Sequence, residues 1–403
     1  MLQRIVDFSV KQPLWVAILT LALVITGVYQ LRHLPIDAVP DITNNQVQVI
    51  AVSPSLGAVD VEKLITQPIE ASCRNIPGLV EMRSFSRLGL SVITVVFEEE
   101  VDIYWARQQV NERLISARDL IPQGLASPYL APVTTGLGEI YQYVLRAKPG
   151  YEARYDLTEL RTLQDWQVRR ALLGVPGVAD VSSFGGLLKQ IEISIRPDIL
   201  QAQGVTLQEI YDAVQANNQN AGGAYIHRDA TQLSIRTEGM VRTPQDLESI
   251  VVKTSPEGLP LLIKDVAEVR QGHAIRYGSL TYNGQGEVAG GVVMMLKGEN
   301  SGRVIESVKQ KIETIQAGLP EGVVVEPFLD RTKMVNSSIQ TVAINLAEGA
   351  LIVVLVLVFF LGNLRAGLLV ASVIPLAMLF AVCMMNLFGV SGNLMSLGAL
   401  DFG

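Results

Sequence analysis

The sequence predicts an α+β membrane protein: transmembrane helices near both ends, and between them two exported split βαβ (ferredoxin-like) repeats, the second carrying an inserted subdomain. Three observations predict it. Apolar runs long enough to cross a bilayer stand near the N-terminus and again from Val342 onward. The stretch between them carries one proline–glycine turn twice, each time at the same distance from a Ser-Phe pair. The second copy is then interrupted by a long segment with helix, turn and strand signals of its own. Composition agrees, since a mean hydropathy of +0.32 combined with 18% charged residues suits a membrane protein with a large water-exposed part. The net charge of −7 argues against nucleic acid as a partner, because phosphate binding needs clustered cations. Cys73 and Cys383 are the only cysteines, too few for a disulfide framework.

Leu14–Leu31 is an apolar run of about 18 residues, enough to span a bilayer. Arg4 and Lys11 precede it and no small-residue cleavage site follows, so it reads as an uncleaved anchor with a cytoplasmic N-terminus. Beyond it, Pro77-Gly78 closes the helical stretch Val59–Arg74, and Pro176-Gly177 closes Leu157–Leu173. Proline cannot continue a helix, and glycine tolerates the left-handed turn that leaves one. Ser84-Phe85 and Ser183-Phe184 follow at the same offset. Each turn is followed by two β-rich runs, Val80–Ser86 with Ser91–Phe97 and Val178–Phe184 with Leu188–Ile195. Pro122 and Pro320, each near a glycine, close the further helices Tyr104–Asp119 and Arg303–Gln316. Each copy reads strand–helix–strand–strand–helix–strand. Between Pro197 and Leu280 lies the insert, with a helix Leu207–Ala216; one irregular three-part domain is the alternative.

Val342–Leu361 and Leu364–Leu387 are the second and third expected spans, joined by a turn bearing Arg365 that the positive-inside rule places in the cytoplasm. Glu348 reads as snorkelling toward the interface. The run Asn393–Gly403 opens a fourth span and places Asp401 inside it. An ionisable group at membrane depth costs roughly 2.5 kcal/mol or more, so it marks an ion or proton path. The early stop after Asp401 leads us to expect a fragment of a longer membrane protein that is inactive by itself.

These features, together with Leu34–Ile42, Tyr104–Arg107, Thr135–Tyr141 and Leu163–Trp166, resemble the N-terminal half of an inner-membrane pump of the resistance-nodulation-division superfamily, heavy-metal branch. Leu400-Asp401-Phe402-Gly403 is similar to the cobalt-zinc-cadmium type. The resemblance implies a proton-driven antiporter, not an enzyme, exporting divalent cations of the zinc, cobalt and cadmium class. It implies a homotrimer in the inner membrane of a Gram-negative bacterium, working with a periplasmic adaptor and an outer-membrane channel. No cofactor is implied; the metal ion is substrate and the proton-motive force is the energy source. The expected organisation is anchor and first helix 1–33, first porter repeat 34–134, second porter repeat 135–197 and 281–338, and inserted docking subdomain 198–280. Transmembrane helices follow at 339–362 and 364–388, with the start of a fourth at 392–403.

Under that resemblance Asp401 is the proton-relay candidate, and weak oxygen ligands suit an ion that must be released. Glu139, in the turn entering the second repeat, is the first metal-ligand candidate. Glu192 follows, as a strand carboxylate facing the cleft between repeats, and Asp180 is third. His33, His227 and His273 have no second histidine or cysteine at ligand spacing, which argues against a structural zinc site. Met294 and Met295 adjoin in one strand, point to opposite faces and cannot share one ion; at least one packs in the core. Two alternatives stand beside the metal pump: a multidrug pump, disfavoured by only 6% aromatics, and a membrane-anchored interaction module, which has no need of Asp401.

Overall fold

The computed structural model describes residues 9–33, 42–229, 231–255, 258–362, 364–388 and 392. Helix α1 (Pro13–His33) contains a 19-residue stretch, Pro13–Leu31, of mean hydropathy 2.0 that is only 6% buried. Leu14, Trp15, Leu19 and Ile25 are exposed along it, an apolar surface that protein does not cover. Among the described residues it is the one helix both long and apolar enough to cross a membrane.

The first α/β unit contains β1 (Gln46–Val52), α2 (58–73), β2 (Leu79–Arg87), β3 (Leu90–Phe97), α3 (Ile103–Leu120) and β4 (Tyr129–Leu130). Its antiparallel sheet has the order β2-β3-β1-β4. The second contains β5 (Glu139–Ala147), α4 (157–173) and β6 (Val178–Gly185), and resumes after the insert. Its sheet order, β6-β13-β5-β14, is the same arrangement strand for strand, with β13 (Ala289–Met295) and β14 (Val323–Asp330) flanking α9 (Ser301–Gly318). Predicted helices fall within about two residues of the observed ones. Side-chain caps fix three of the starts: Asp102, Asp156 and Asn300 accept from the backbone N–H three residues on, at 2.7–2.9 Å. Each unit has its own core, around Val49, Ile69, Ile93 and Leu114 in one and Tyr143, Leu172, Val293 and Ile305 in the other.

Both first helices contain a π-helical turn, Glu62–Thr66 in α2 and Gln164–Val168 in α4, a wider coil that the sequence does not announce. Each turns a polar side chain into the interior. The Thr66 hydroxyl meets those of Ser86 and Ser91 at 2.8 and 2.7 Å, and Gln164 Nε2 donates to the Tyr143 hydroxyl at 3.0 Å.

One strand pairing differs from expectation. The run beginning at Leu188 was expected to pair with Val178–Phe184, but β7 (Lys189–Ile195) pairs instead with β12 (Ala267–His273) inside the inserted body. The chain leaves the second sheet at Gly185-Gly186, both at φ +65, where added Cβ atoms would collide with Leu280 and Arg161. Its place beside β6 is taken by β13. The rest of the insert comprises α5 (Pro197–Gln203), α6 (Leu207–Ala216), the hairpin β8–β9 (Ala221–Arg228, Thr231–Thr237), α7 (Pro244–Glu248), β10–β11 (Val251–Thr254, Pro260–Leu262) and α8 (Ile263–Val266), around small clusters of its own.

From β14 the chain enters α10 (Arg331–Leu361), which contains the expected second span. The expected third span forms two helices, α11 (Leu364–Ala371) and α12 (Val373–Leu387), meeting at Ser372. Helix α12 packs on α1, closely enough that a Cβ on Gly27 would lie 2.7 Å from that of Leu379. Asn386 donates a side-chain hydrogen bond to Gln30 across the same contact.

Candidate functional site

Two of the candidate residues lie in the second sheet. Glu139 is the first residue of β5 and Asp180 lies in β6; β13 runs between those strands. Met294 of β13 is the cross-strand partner of Glu139 on one side and of Asp180 on the other. Partners in a sheet share a face, and strands lie about 4.8 Å apart, so the two carboxylates stand on one face about 10 Å apart at the backbone with the thioether between them. A bulge in the β13–β5 pairing, between Val293 and Met294, brings Glu139 opposite Met294, while Asp180 meets Met294 in the regular register of β13 with β6. Ile140 and Tyr141 are consecutively buried, and the skipped residue leaves Glu139 outside. Met295 joins the core, whereas Met294 is only partly buried, as opposite faces require.

Glu139 is exposed and accepts from Gln142 Nε2 at 3.1 Å. The turn before it is tight: Gly138 N–H donates to the Thr135 carbonyl at 2.9 Å, and a Cβ at Gly138 would press on the Met295 carbonyl at 3.3 Å. Asp180, 27% exposed, accepts from Arg169 Nη2 at 3.2 Å. Burial, aided by the charge of Asp330, pushes the neighbouring Tyr141 hydroxyl up to about 12, so it stays a neutral donor at physiological pH.

Glu192 is not part of this row. It lies in β7, in the insert, and its carboxylate accepts from the guanidinium of Arg270, its cross-strand partner, at 3.0 Å. The expectation that it faces the cleft between repeats assumed β7 to be a strand of the second repeat. Asp401 lies outside the described residues. Cys73 is a fully buried core residue whose thiol burial pushes up to about 11. Among the described residues no group of three or more His, Cys, Asp or Glu is arranged to hold a metal.

The sequence reading missed the junction between this sheet and α10. Asp330 caps α10, accepting from Thr332 N–H at 3.0 Å, and pairs with Lys309 Nζ at 2.6 Å. Burial raises the Asp330 carboxyl, but the bonds from Lys309 and Thr332 outweigh it and hold the group below its ordinary range. Arg331 donates to the Leu137 carbonyl, tying the first turn of α10 to the loop that precedes Glu139. An Asp-Arg pair after a strand is a helix-start signal, but its partners are far away in sequence.

Comparison with known proteins gives this geometry a context. The chain is 42% identical over its whole length to the cation efflux system protein CzcA of Alcaligenes sp. (strain CT14) and 46% identical to the protein HelA of Legionella pneumophila. It is 36% identical over 99% of its length to the cation efflux system protein CusA of Escherichia coli (strain K12). In each case it spans 38% of the relative's length. The X-ray crystal structure of a heavy metal efflux pump (crystal form II) superposes with a TM-score of 0.88 at 37% identity, over 99% of this chain and 39% of that one. The AcrB/AcrD/AcrF family profile matches residues 5–403, and the chain belongs to that family of resistance-nodulation-division transporters.

Proposed function

We propose that the chain is part of a proton-driven antiporter that exports divalent heavy-metal cations of the zinc, cobalt and cadmium class. The observation that carries the reading is the row Glu139–Met294–Asp180, two carboxylates and a thioether on one open sheet face. It occurs in a chain related throughout its length to cation efflux proteins. Carboxylate oxygens hold such ions reversibly, as a carrier requires, and ligands from elsewhere in the whole protein complete the site.

In this reading the two matching α/β units are porter repeats and the inserted body is the docking subdomain. The helices α1, α10 and α11–α12 span the inner membrane, with the α/β part in the periplasm. The whole protein is a homotrimer that delivers its ion through an adaptor to an outer-membrane channel. Asp401 takes up and releases the driving proton. Binding at the row is coupled to the membrane through the tie from Arg331 to Leu137, which connects the start of α10 to the loop that precedes Glu139, while the Lys309–Asp330 pair holds that helix start, at the end of β14, against α9. A full-length pump containing this chain should confer resistance to zinc, cobalt or cadmium in a sensitive Gram-negative host. Protection against dyes and detergents without protection against metals would replace this reading with a multidrug one.

A further inference from the structure

Arg169 makes two bonds to the edge strand β6. Its Nε donates to the Val181 carbonyl at 2.6 Å, and its Nη2 to Asp180 Oδ1 at 3.2 Å. The Arg169 and Asp180 side chains are 40% and 27% exposed, so the pair is reachable from solvent. A cavity of about 510 Å³ opens beside it, lined also by Arg161, Asp165, Trp166 and Arg170. The two other arginines are engaged elsewhere: Arg161 bonds Asp165 at 2.8 Å, and Arg170 lies over the Trp166 ring at 3.9 Å. Arg169 alone of the three holds a carboxylate of the row.

We propose that Arg169 is a place-holding cation, which neutralises Asp180 while no ion is bound and is displaced when a divalent ion arrives. The inference rests on the reading of Asp180 as an ion ligand. A carboxylate oxygen that accepts from a guanidinium must give up that bond before it can coordinate a metal. A divalent ion carries twice the charge and approaches oxygen to about 2.0–2.2 Å, so it wins the exchange. A monovalent ion offers no more charge than the guanidinium it would replace. Arg169 thereby sets a threshold that favours divalent over monovalent cations, making it a specificity-determining residue and not a ligand. The adjoining cavity receives the displaced side chain, and Asp165, one helical turn earlier and already accepting from Arg161 through one oxygen, is the anion whose second oxygen it meets there.

Zinc titration, by calorimetry, of a purified full-length pump that contains this chain tests this. Arg169→Gln removes the charge while keeping a donor for Val181, and should tighten zinc binding about two- to fivefold, the range set by a half-exposed ion pair. Potassium should compete with zinc more strongly in that variant than in the parent. Asp180→Asn should weaken zinc binding, and adding Arg169→Gln to it should restore nothing. Arg169→Lys, which keeps the charge without the fork, should fall between the parent and Arg169→Gln, and serves as the test if the glutamine variant does not fold. Unchanged or weaker zinc binding in the Arg169 variants, with Asp180→Asn still weakening it, would overturn the place-holder and leave the ligand assignment standing. Unchanged binding in Asp180→Asn would overturn both.

Discussion

Gly177 lies in the turn between α4 and β6 at φ +84, and a Cβ placed there would lie 2.5 Å from Val304 Cγ2, a side chain only 2% exposed. Two costs follow for Gly177→Ala. Holding an L-residue in the left-handed region costs roughly 1–2 kcal/mol. Forcing a methyl into a packed core costs about 1–3 kcal/mol, because Val304 has nowhere to move. Reduced freedom of the unfolded chain returns about 0.4–1 kcal/mol. The net loss is about 2–4 kcal/mol, confined to the second repeat because each repeat has its own core. Gly78, the equivalent turn residue at φ +73, faces the partly buried Val101 at 2.8 Å, so Gly78→Ala should cost less and act on the first repeat alone. Hydrogen exchange read by mass spectrometry separates the two. Gly177→Ala should speed exchange of Val178–Gly185 and Ala289–Met295 by about 30- to 1,000-fold wherever exchange requires opening of that repeat, at 1.4 kcal/mol per factor of ten. Peptides covering Gln46–Val52 should be unaffected. Unchanged protection in the second repeat, or equal loss in both, would refute the reasoning.

Three further outcomes are expected. Asp330 is held below its ordinary carboxyl range, so its contribution is fully present above about pH 4 and is lost as pH falls through the lowered folded value. Lys309→Met should cost about 1–2 kcal/mol at pH 7 and flatten that acid limb, as seen in pH-dependent exchange of the first turn of α10. Glu192→Gln should leave zinc affinity unchanged by calorimetry, since Glu192 is paired with Arg270 in another sheet, whereas Glu139→Gln should weaken it. In a full-length pump, Asp401→Asn should reach the membrane and bind metal yet lose proton-coupled export; parental transport rates would make Asp401 a packing residue.

The repeat was legible because its punctuation is local. Pro77-Gly78 and Pro176-Gly177 keep the chain from re-entering a helix and turn it into the next strand by steric rules that act within a few residues, and both glycines adopt the positive φ of such a turn. The partner of β7 was not legible, because alternating apolar residues identify a strand without naming its neighbour. Only the Gly185-Gly186 exit shows why the chain abandons the sheet there. The proposed row was legible in part. Glu139 and Asp180 were chosen as isolated carboxylates, and the opposed faces of Met294 and Met295 follow from strand geometry. That Met294 lies between the two carboxylates depends on the register of two pairings, one of them bulged, that join residues separated by the whole insert. Arg169 and Arg331 escaped notice for a related reason: Arg169 reaches Asp180 on a neighbouring strand and Arg331 a backbone carbonyl far away in sequence, and no composition or spacing signals either bond.

The most direct test is pH-gradient-driven zinc uptake into inside-out vesicles carrying a full-length pump that contains this chain. The account predicts uptake that collapses with the gradient, falls at least tenfold in the double variant Glu139→Gln/Asp180→Asn, and persists in Glu192→Gln. Uptake at the parental rate by the double variant would contradict it.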